Sequence, residues 1–205
     1  MNRIERVGYE TEVNPIWWYE VRRCGRGVLA FAPLVGALIG IAPVVVDNAV
    51  LRGVAVGVVP LIAGLVTAAV LGRERMRELQ LTVRTPYSRT VIRRLVLVGA
   101  SVCGAVALLG LPRWPAAAGS LLVSTPAFAL ALIGVATYVV VVSGSAAGAS
   151  AIVVTVWTAK LLVLDQIVRG VWAQATIMLV LAALFVRLAL VRVADSETQL
   201  REVRA

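Results

Sequence analysis

The sequence lacks histidine altogether, and its twenty basic residues include a single lysine. Without histidine, the commonest metal ligand and the usual proton shuttle near neutral pH are both missing. The lysine, Lys160, lies between Ala159 and Leu161 in an apolar run, so no phosphate-binding loop ending in Gly-Lys-Ser/Thr is present. No paired carboxylates and no Ser/His/Asp or Cys/His arrangement occur either. We therefore expect no catalytic residue, metal or cofactor in this chain, and no enzyme activity by itself.

Cysteine is scarce as well. Cys24 precedes the first apolar run and Cys103 lies inside the third, so we expect the two at different membrane depths and unpaired. Residues 1–27 are charged and aromatic, without the apolar core and small-residue cleavage site of a secretory signal peptide. We expect them to be retained.

Apolar residues are what the sequence has in abundance. They make up 60% of the 205 residues, where a soluble domain has roughly 45–50%, and the mean hydropathy is +0.91. A net charge of +9 would suggest nucleic acid as the partner of a soluble protein. No compact basic domain is present to bind it, however. The composition predicts an all-α, polytopic membrane protein with the lipid bilayer, and no nucleic acid, as its partner.

Six apolar segments are each close to the roughly 20 residues that a helix needs to cross about 30 Å of hydrocarbon. They are 28–46, 53–72, 95–111, 119–142, 146–164 and 171–191. Five of the twenty basic residues precede these segments, seven lie between the second and third, and three follow the sixth, with Arg187 near the cytoplasmic end of that last segment. The positive-inside rule therefore places both termini and the middle region in the cytoplasm, which six spans satisfy. We expect a flexible tail at 1–13, an amphipathic interfacial helix at 14–27, a six-helix domain in the cytoplasmic membrane at 28–192 and a cytoplasmic tail at 193–205.

The predicted interfacial helix combines aromatic residues with arginines. Asn14-Pro15 marks its start, and the residues that define it are Trp17, Trp18, Tyr19, Arg22 and Arg23. Such a mixture is typical of a helix in the headgroup layer, with its rings at the interface and its guanidinium groups toward lipid phosphate. The alternative is a simple juxtamembrane anchor for the first span.

The most polar internal segment is 72–94, which we call the basic island. In its first half Met76, Leu79 and Val83 fall at i, i+3 and i+7, so they share one stripe of an amphipathic helix over 73–85. Pro86 has no N–H to donate and disfavours helix at the residue before it, so this helix should end there. Ser88 is placed to cap the next helix, which enters the membrane.

Lys160 is the basic residue deepest in a predicted span. It lies about 21 Å along a helix that starts near Ala146, in the outer half of the bilayer. One interpretation is a contact to an anionic or polar substrate in a transport pathway. The other is that its long stem carries the ammonium out to the external headgroups. Asp165 and Arg169 are spaced i, i+4 and predict a structural ion pair at the outer surface.

Taken together, these features resemble the membrane subunits of ABC-2 type exporters, the type-2 ATP-binding-cassette permeases. In that family an amphipathic helix precedes the first of six spans, as NPIWWYEVRRCGR does here, and a coupling helix joins the second and third spans. The segment RERMRELQLTVRTPYSRTVIRR is similar to that coupling segment. The matching positions are Glu74, Glu78, Leu79, Pro86, Ser88 and Arg89.

The resemblance implies a permease subunit that moves a hydrophobic or amphipathic substrate, powered by a separate ATPase that supplies ATP and Mg²⁺. It also implies a second permease copy, identical or closely related, and a coupling helix at 73–85 on which the ATPase docks. The implied docking residues are Arg73, Glu74, Arg77, Glu78, Leu79, Val83, Arg84 and Pro86.

Two other functions compete with this interpretation. A secondary transporter or channel needs no ATPase but predicts intramembrane carboxylates that bind coupling ions. A non-transport membrane scaffold would use the basic island only as a solvated or lipid-binding loop. An adjacent gene for an ATP-binding-cassette ATPase would favour the exporter over both.

Overall fold

The computed structural model describes residues 13–45, 49–72, 87–110, 118–168 and 170–202. Every regular element within these ranges is helical. In chain order the elements are α1 (Val13–Cys24), α2 (Arg26–Val45), α3 (Ala49–Gly72), α4 (Tyr87–Gly110), α5 (Ala118–Ser143), α6 (Ala146–Ala159), a π-helical turn (Lys160–Leu164), α7 (Asp165–Ile167) and α8 (Val171–Glu202).

Four helical segments of the described chain are long and apolar enough to cross a membrane: Arg89–Leu108, Val123–Ser143, Ala146–Ile167 and Val171–Asp195. A fifth results if Trp17–Cys24 and Arg26–Gly40, which meet at 80°, form one broken span. Gly57–Gly72 of α3 is a shorter apolar helix. The predicted all-α class and the multi-pass pattern of apolar helices are therefore confirmed. The described residues contain four to five candidate spans, where the sequence predicts six.

Two glycines with positive φ separate consecutive helices. Gly25 (φ 88°) lies between α1 and α2, and Gly144 (φ 66°) lies between α5 and α6. Glycine adopts this backbone conformation without the steric cost that a Cβ would impose. After Gly144, the Ser145 hydroxyl accepts a hydrogen bond from the Gly148 amide at 3.1 Å and caps α6. Both breaks are thus encoded locally.

Helix α5 occupies the centre of the bundle. It packs against α3, α4, α6 and α8, most extensively against α8. Of its membrane-length window 67% is buried, compared with 11% for α6 and 22% for α8. Consequently α5 is enclosed by the other helices, whereas α6 and α8 have most of their surface free for lipid or protein.

The buried side chains form two clusters that share α3 and α5. The first joins α2, α3, α4 and α5, around Val59, Val98 and Ala105. The second joins α3, α5, α6 and α8, around Leu132 and Val153. Because both clusters include α3 and α5, these two helices hold the two sides of the bundle together.

Small residues allow the helices to approach closely. A Cβ added to Gly36 of α2 would lie 2.5 Å from the backbone oxygen of Ala105 in α4, and one added to Gly134 of α5 would lie 3.0 Å from that of Ala182 in α8. Gly36, part of the small-xxx-small pair Gly36/Gly40, is therefore used for packing within the chain.

Hydrogen bonds between helices add to this packing. The Ser101 hydroxyl of α4 donates to the Leu29 carbonyl of α2 at 2.5 Å. The Trp157 indole of α6 donates to the Gly57 carbonyl of α3 at 2.7 Å. Bonds of this kind in membrane proteins contribute on average about 0.6 kcal/mol each, so they fix orientation more than they add stability.

Element ends differ slightly from the predicted ones. Helix α1 ends at Cys24, because Gly25 breaks it before the predicted boundary at 27. Helix α4 begins at Tyr87, so Ser88 lies in its first turn. Helix α8 continues to Glu202, so most of the predicted tail 193–205 extends the last apolar helix.

Candidate functional site

The Lys160 cluster lies near the carboxyl end of the Ala146–Ile167 segment. The Lys160 Nζ is 2.9 Å from each carboxylate oxygen of Asp165. It also lies 5.2 Å from the centre of the Phe128 ring, which α5 contributes from the core. The cluster therefore consists of one cation, one anion and the face of a buried aromatic ring, and it links the peripheral α6 to the central α5.

The π-helical turn makes this ion pair possible. In a regular α-helix residues five apart point about 140° away from one another, since each residue turns the helix by about 100°. Over Lys160–Leu164 the backbone instead forms i→i+5 bonds, and the Asp165 amide donates to the Lys160 carbonyl. This extra residue in the turn brings Asp165 over Lys160. Single π turns of this kind are frequent at functional sites.

The ion pair changes how Lys160 is interpreted. The sequence left two possibilities, a substrate contact or an ammonium extended to the headgroups, and predicted Arg169 as the partner of Asp165. In the structure Asp165 binds Lys160, and the two side chains are 32% and 20% exposed; Arg169 lies outside the described residues. The pair is thus neutral as a unit, and both of its side chains are partly exposed.

A second polar contact joins α1 to α4. The Glu20 Oε2 lies 3.8 Å from the Arg94 Nε, and the two residues are 6% and 3% exposed. Arg94 is the last residue of the basic island, and the buried Val91 and Val98 lie one turn before and after it on α4. Removing charges from water is costly unless they are paired, so this contact fixes α1 against α4.

The predicted interfacial residues cluster on α1. Trp18 and Tyr19 are 54% and 63% exposed, Arg22 and Arg23 are also exposed, and Trp17 is half-buried. The guanidinium carbons of Arg22 and Arg26 lie 5.8 and 4.2 Å from the centre of the Trp18 ring. The exposed surface of α1 therefore combines aromatic rings with stacked cations.

No protein-family model, curated protein or solved structure matches the chain. Among the described residues no group of three or more His, Cys, Asp or Glu side chains could hold a metal ion, and the two cysteines, Cys24 buried and Cys103 exposed, form no disulfide. The chemistry of this part of the chain is thus that of ion pairs, aromatic rings and apolar surface.

The residues expected to dock an ATPase lie outside the described part of the chain. They are Arg73, Glu74, Arg77, Glu78, Leu79, Val83, Arg84 and Pro86. What the structure does describe is the helix on each side of them: α3 ends at Gly72 and α4 begins at Tyr87.

Sequence reasoning missed Glu20, Arg94, Phe128 and the π turn. Glu20 is the one carboxylate among the aromatic and basic residues of α1, which could have suggested a buried partner. Phe128 looks like any core residue, and a π turn leaves no periodic pattern in an almost uniformly apolar segment. The sequence shows that Lys160 and Asp165 are five residues apart, but side chains at this spacing are not neighbours on an α-helix.

Proposed function

We propose that this chain is the membrane-spanning permease subunit of an ATP-binding-cassette exporter. In this proposal α2 and α3 cross the cytoplasmic membrane together with the four longer candidates, giving six spans with both termini in the cytoplasm. Helix α1 lies at the membrane surface, and its 80° angle to α2 suits that placement. A separate ATPase docks on residues 73–85, so ATP and Mg²⁺ act in the partner and not in this chain.

The observation that carries the proposal is the packing of the two helices that the basic island joins. Helices α3 and α4 both contribute buried residues to the first core cluster, and α4 is also bound to α1 through Glu20 and Arg94. Protein interiors are close-packed and transmit displacement. A push on the island would therefore move α3 and α4 against α5, and α1 would follow α4.

Export of a hydrophobic or amphipathic substrate also needs a pathway, which we propose lies between two copies of the chain. Helix α6 is the least enclosed span, with 11% of its window buried. Its exposed surface includes Thr155 and Thr158, and the Lys160–Asp165 pair follows within a turn. Polar and ionisable side chains in a membrane generally face protein or a water-filled cavity. The second copy would supply that environment.

The ion pair weighs against a secondary transporter. That function needs a carboxylate free to bind a coupling ion, and Asp165 already accepts both contacts from Lys160 at 2.9 Å. The scaffold alternative is distinguished from the exporter by whether an ATPase binds the island at all.

The decisive experiment is co-purification of the tagged chain with a candidate ATP-binding-cassette ATPase. We expect the ATPase to remain bound to the wild-type chain. It should be lost with Glu78→Arg, because this substitution reverses the charge of one of the proposed docking residues. Glu197→Arg, the same reversal in α8, serves as the matched control and should retain the ATPase. Unchanged association in Glu78→Arg would contradict the docking role.

Orientation is tested separately with Gln80→Cys in a Cys24→Ala/Cys103→Ala background. A membrane-impermeant maleimide should label residue 80 in inverted vesicles and not in intact cells. Labelling from outside the cell would place the island away from ATP and end the proposal.

A further inference from the structure

Two arginines share one exposed indole at the junction of α1 and α2. The guanidinium of Arg26 lies 4.2 Å and that of Arg22 lies 5.8 Å from the centre of the Trp18 ring. Arg26 reaches the ring because the chain turns by 80° between the two helices at Gly25, which has φ 88°. Both arginines and Trp18 are exposed.

The charge at this junction is not neutralised by the described residues. Two guanidinium groups that contact one ring lie no more than 10.0 Å apart, within the Debye length of about 10 Å at 0.1 M salt, so they repel one another. Glu20, the one carboxylate of α1, is 6% exposed and faces Arg94. Arg22 and Arg26 have no carboxylate partner in the described part of the chain. An anion between them would relieve the repulsion.

We propose that Arg22, Arg26 and Trp18 form a binding site for the headgroup phosphate of an anionic phospholipid. Guanidinium groups bind phosphate oxygens through charge-assisted, bidentate hydrogen bonds. The indole holds both of them in place by cation–π contact, so less side-chain freedom is lost when the phosphate binds. The inference uses the proposed position of α1 at the membrane surface but not the proposed transport activity.

The surface next to the site favours a lipid over a soluble phosphate. One residue after Arg26, at Gly27, an added Cβ would meet no atom within 4 Å. From there an exposed apolar stripe runs along α2 through Phe31, Leu34 and Leu38, which are 52%, 60% and 68% exposed. These positions follow Gly27 at i+4, i+7 and i+11, so they share one helical face. A phosphate at the arginines would place its acyl chain along this stripe.

The test is native mass spectrometry of the purified chain in detergent, titrated with phosphatidylglycerol or phosphatidylcholine of identical acyl chains. We expect preferential binding of phosphatidylglycerol. Arg22→Gln/Arg26→Gln should weaken it roughly 25-fold, since each basic residue near a membrane surface contributes about 1 kcal/mol, or about fivefold. Arg187→Gln/Arg192→Gln, which removes two exposed arginines from α8, is the charge-matched control and should change binding by less than about twofold, because neither residue belongs to the site.

Two further variants separate the site from general attraction and from misfolding. Trp18→Leu keeps both charges and an apolar side chain but removes the stacking surface, so it should weaken binding several-fold. Arg22→Lys/Arg26→Lys keeps both charges and should lie between wild type and the glutamine variant, because lysine lacks the planar fork. Helical circular dichroism and elution volume identify any variant that fails to fold.

Equal loss in Arg22→Gln/Arg26→Gln and in Arg187→Gln/Arg192→Gln would overturn the proposal, as would equal binding of the two lipids. Displacement of phosphatidylglycerol by millimolar inorganic phosphate would assign the site to soluble phosphate and also overturn it. Because no ATPase is present in the assay, its result is independent of the ATPase-binding experiment.

Discussion

The buried contact between Glu20 and Arg94 gives the sharpest test of how α1 is attached. At 3.8 Å the attraction between two unit charges is about 4 kcal/mol for an effective dielectric constant of ~20. Removal of one member of a buried pair typically costs about 3–5 kcal/mol, because the other charge stays out of water. We therefore expect Glu20→Gln and Arg94→Gln each to lower the free energy of unfolding by about 3 kcal/mol.

The measurement is a double-mutant cycle, with unfolding by dodecyl sulfate in mixed micelles followed by circular dichroism. The double variant Glu20→Gln/Arg94→Gln should lose less than the two single losses combined, with a coupling of about 1–3 kcal/mol. Arg93→Gln, the neighbouring and less buried arginine, should change stability by no more than about 0.5 kcal/mol. Additive losses in the cycle would mean that the two charges do not stabilise one another, and the attachment of α1 would need another cause.

Two further predictions concern helix packing and the Lys160 cluster. Gly36→Ala should destabilise the chain by about 1–3 kcal/mol in the same assay, because its Cβ would lie 2.5 Å from the Ala105 oxygen and force α2 away from α4. Gly99→Ala, with nothing within 4 Å of the added atom, should cost nothing, and similar losses in both variants would refute the packing argument. Asp165→Asn should cost about 1–3 kcal/mol by leaving the Lys160 charge without its carboxylate, whereas Lys160→Met/Asp165→Leu should restore most of that loss. A double variant less stable than Asp165→Asn would show that the charges themselves, and not their pairing, are required.

The sequence predicts the helical membrane class in two steps. In lipid, the backbone polar groups of a segment must be paired within the protein, which only helices and closed barrels achieve. Runs of about twenty apolar residues have the length of a membrane-crossing helix. The sequence also predicts the break near the end of α1 approximately, from the change in composition at residues 24–27. Contacts between helices do not follow from such patterns. Glu20 and Arg94 are 74 positions apart, and nothing in the local spacing of either residue specifies the other. The residue types can be read from the sequence, but the tertiary arrangement that buries Glu20 and Arg94 cannot.

The Lys160 cluster shows the limit of periodicity most clearly. Spacing rules assume one helix type, and the sequence therefore paired Asp165 with Arg169 at i+4. The backbone over Lys160–Leu164 is π-helical, and the spacing of five becomes the one that brings side chains together. An apolar stretch such as Leu161-Leu162-Val163-Leu164 carries no periodic signal that would reveal this change.

The π turn also has a consequence for length variation. It accommodates one residue more than an α-helical turn would, so deleting Val163 would let the turn close as a regular α-helix and place Asp165 at position i+4 from Lys160. Because the extra residue is held within the π turn, α7 and the start of α8 would keep their direction relative to α5. A shortened chain should therefore retain both the charge contact and the packing of the last helix, which makes this turn a place where the length of the chain can change by one residue.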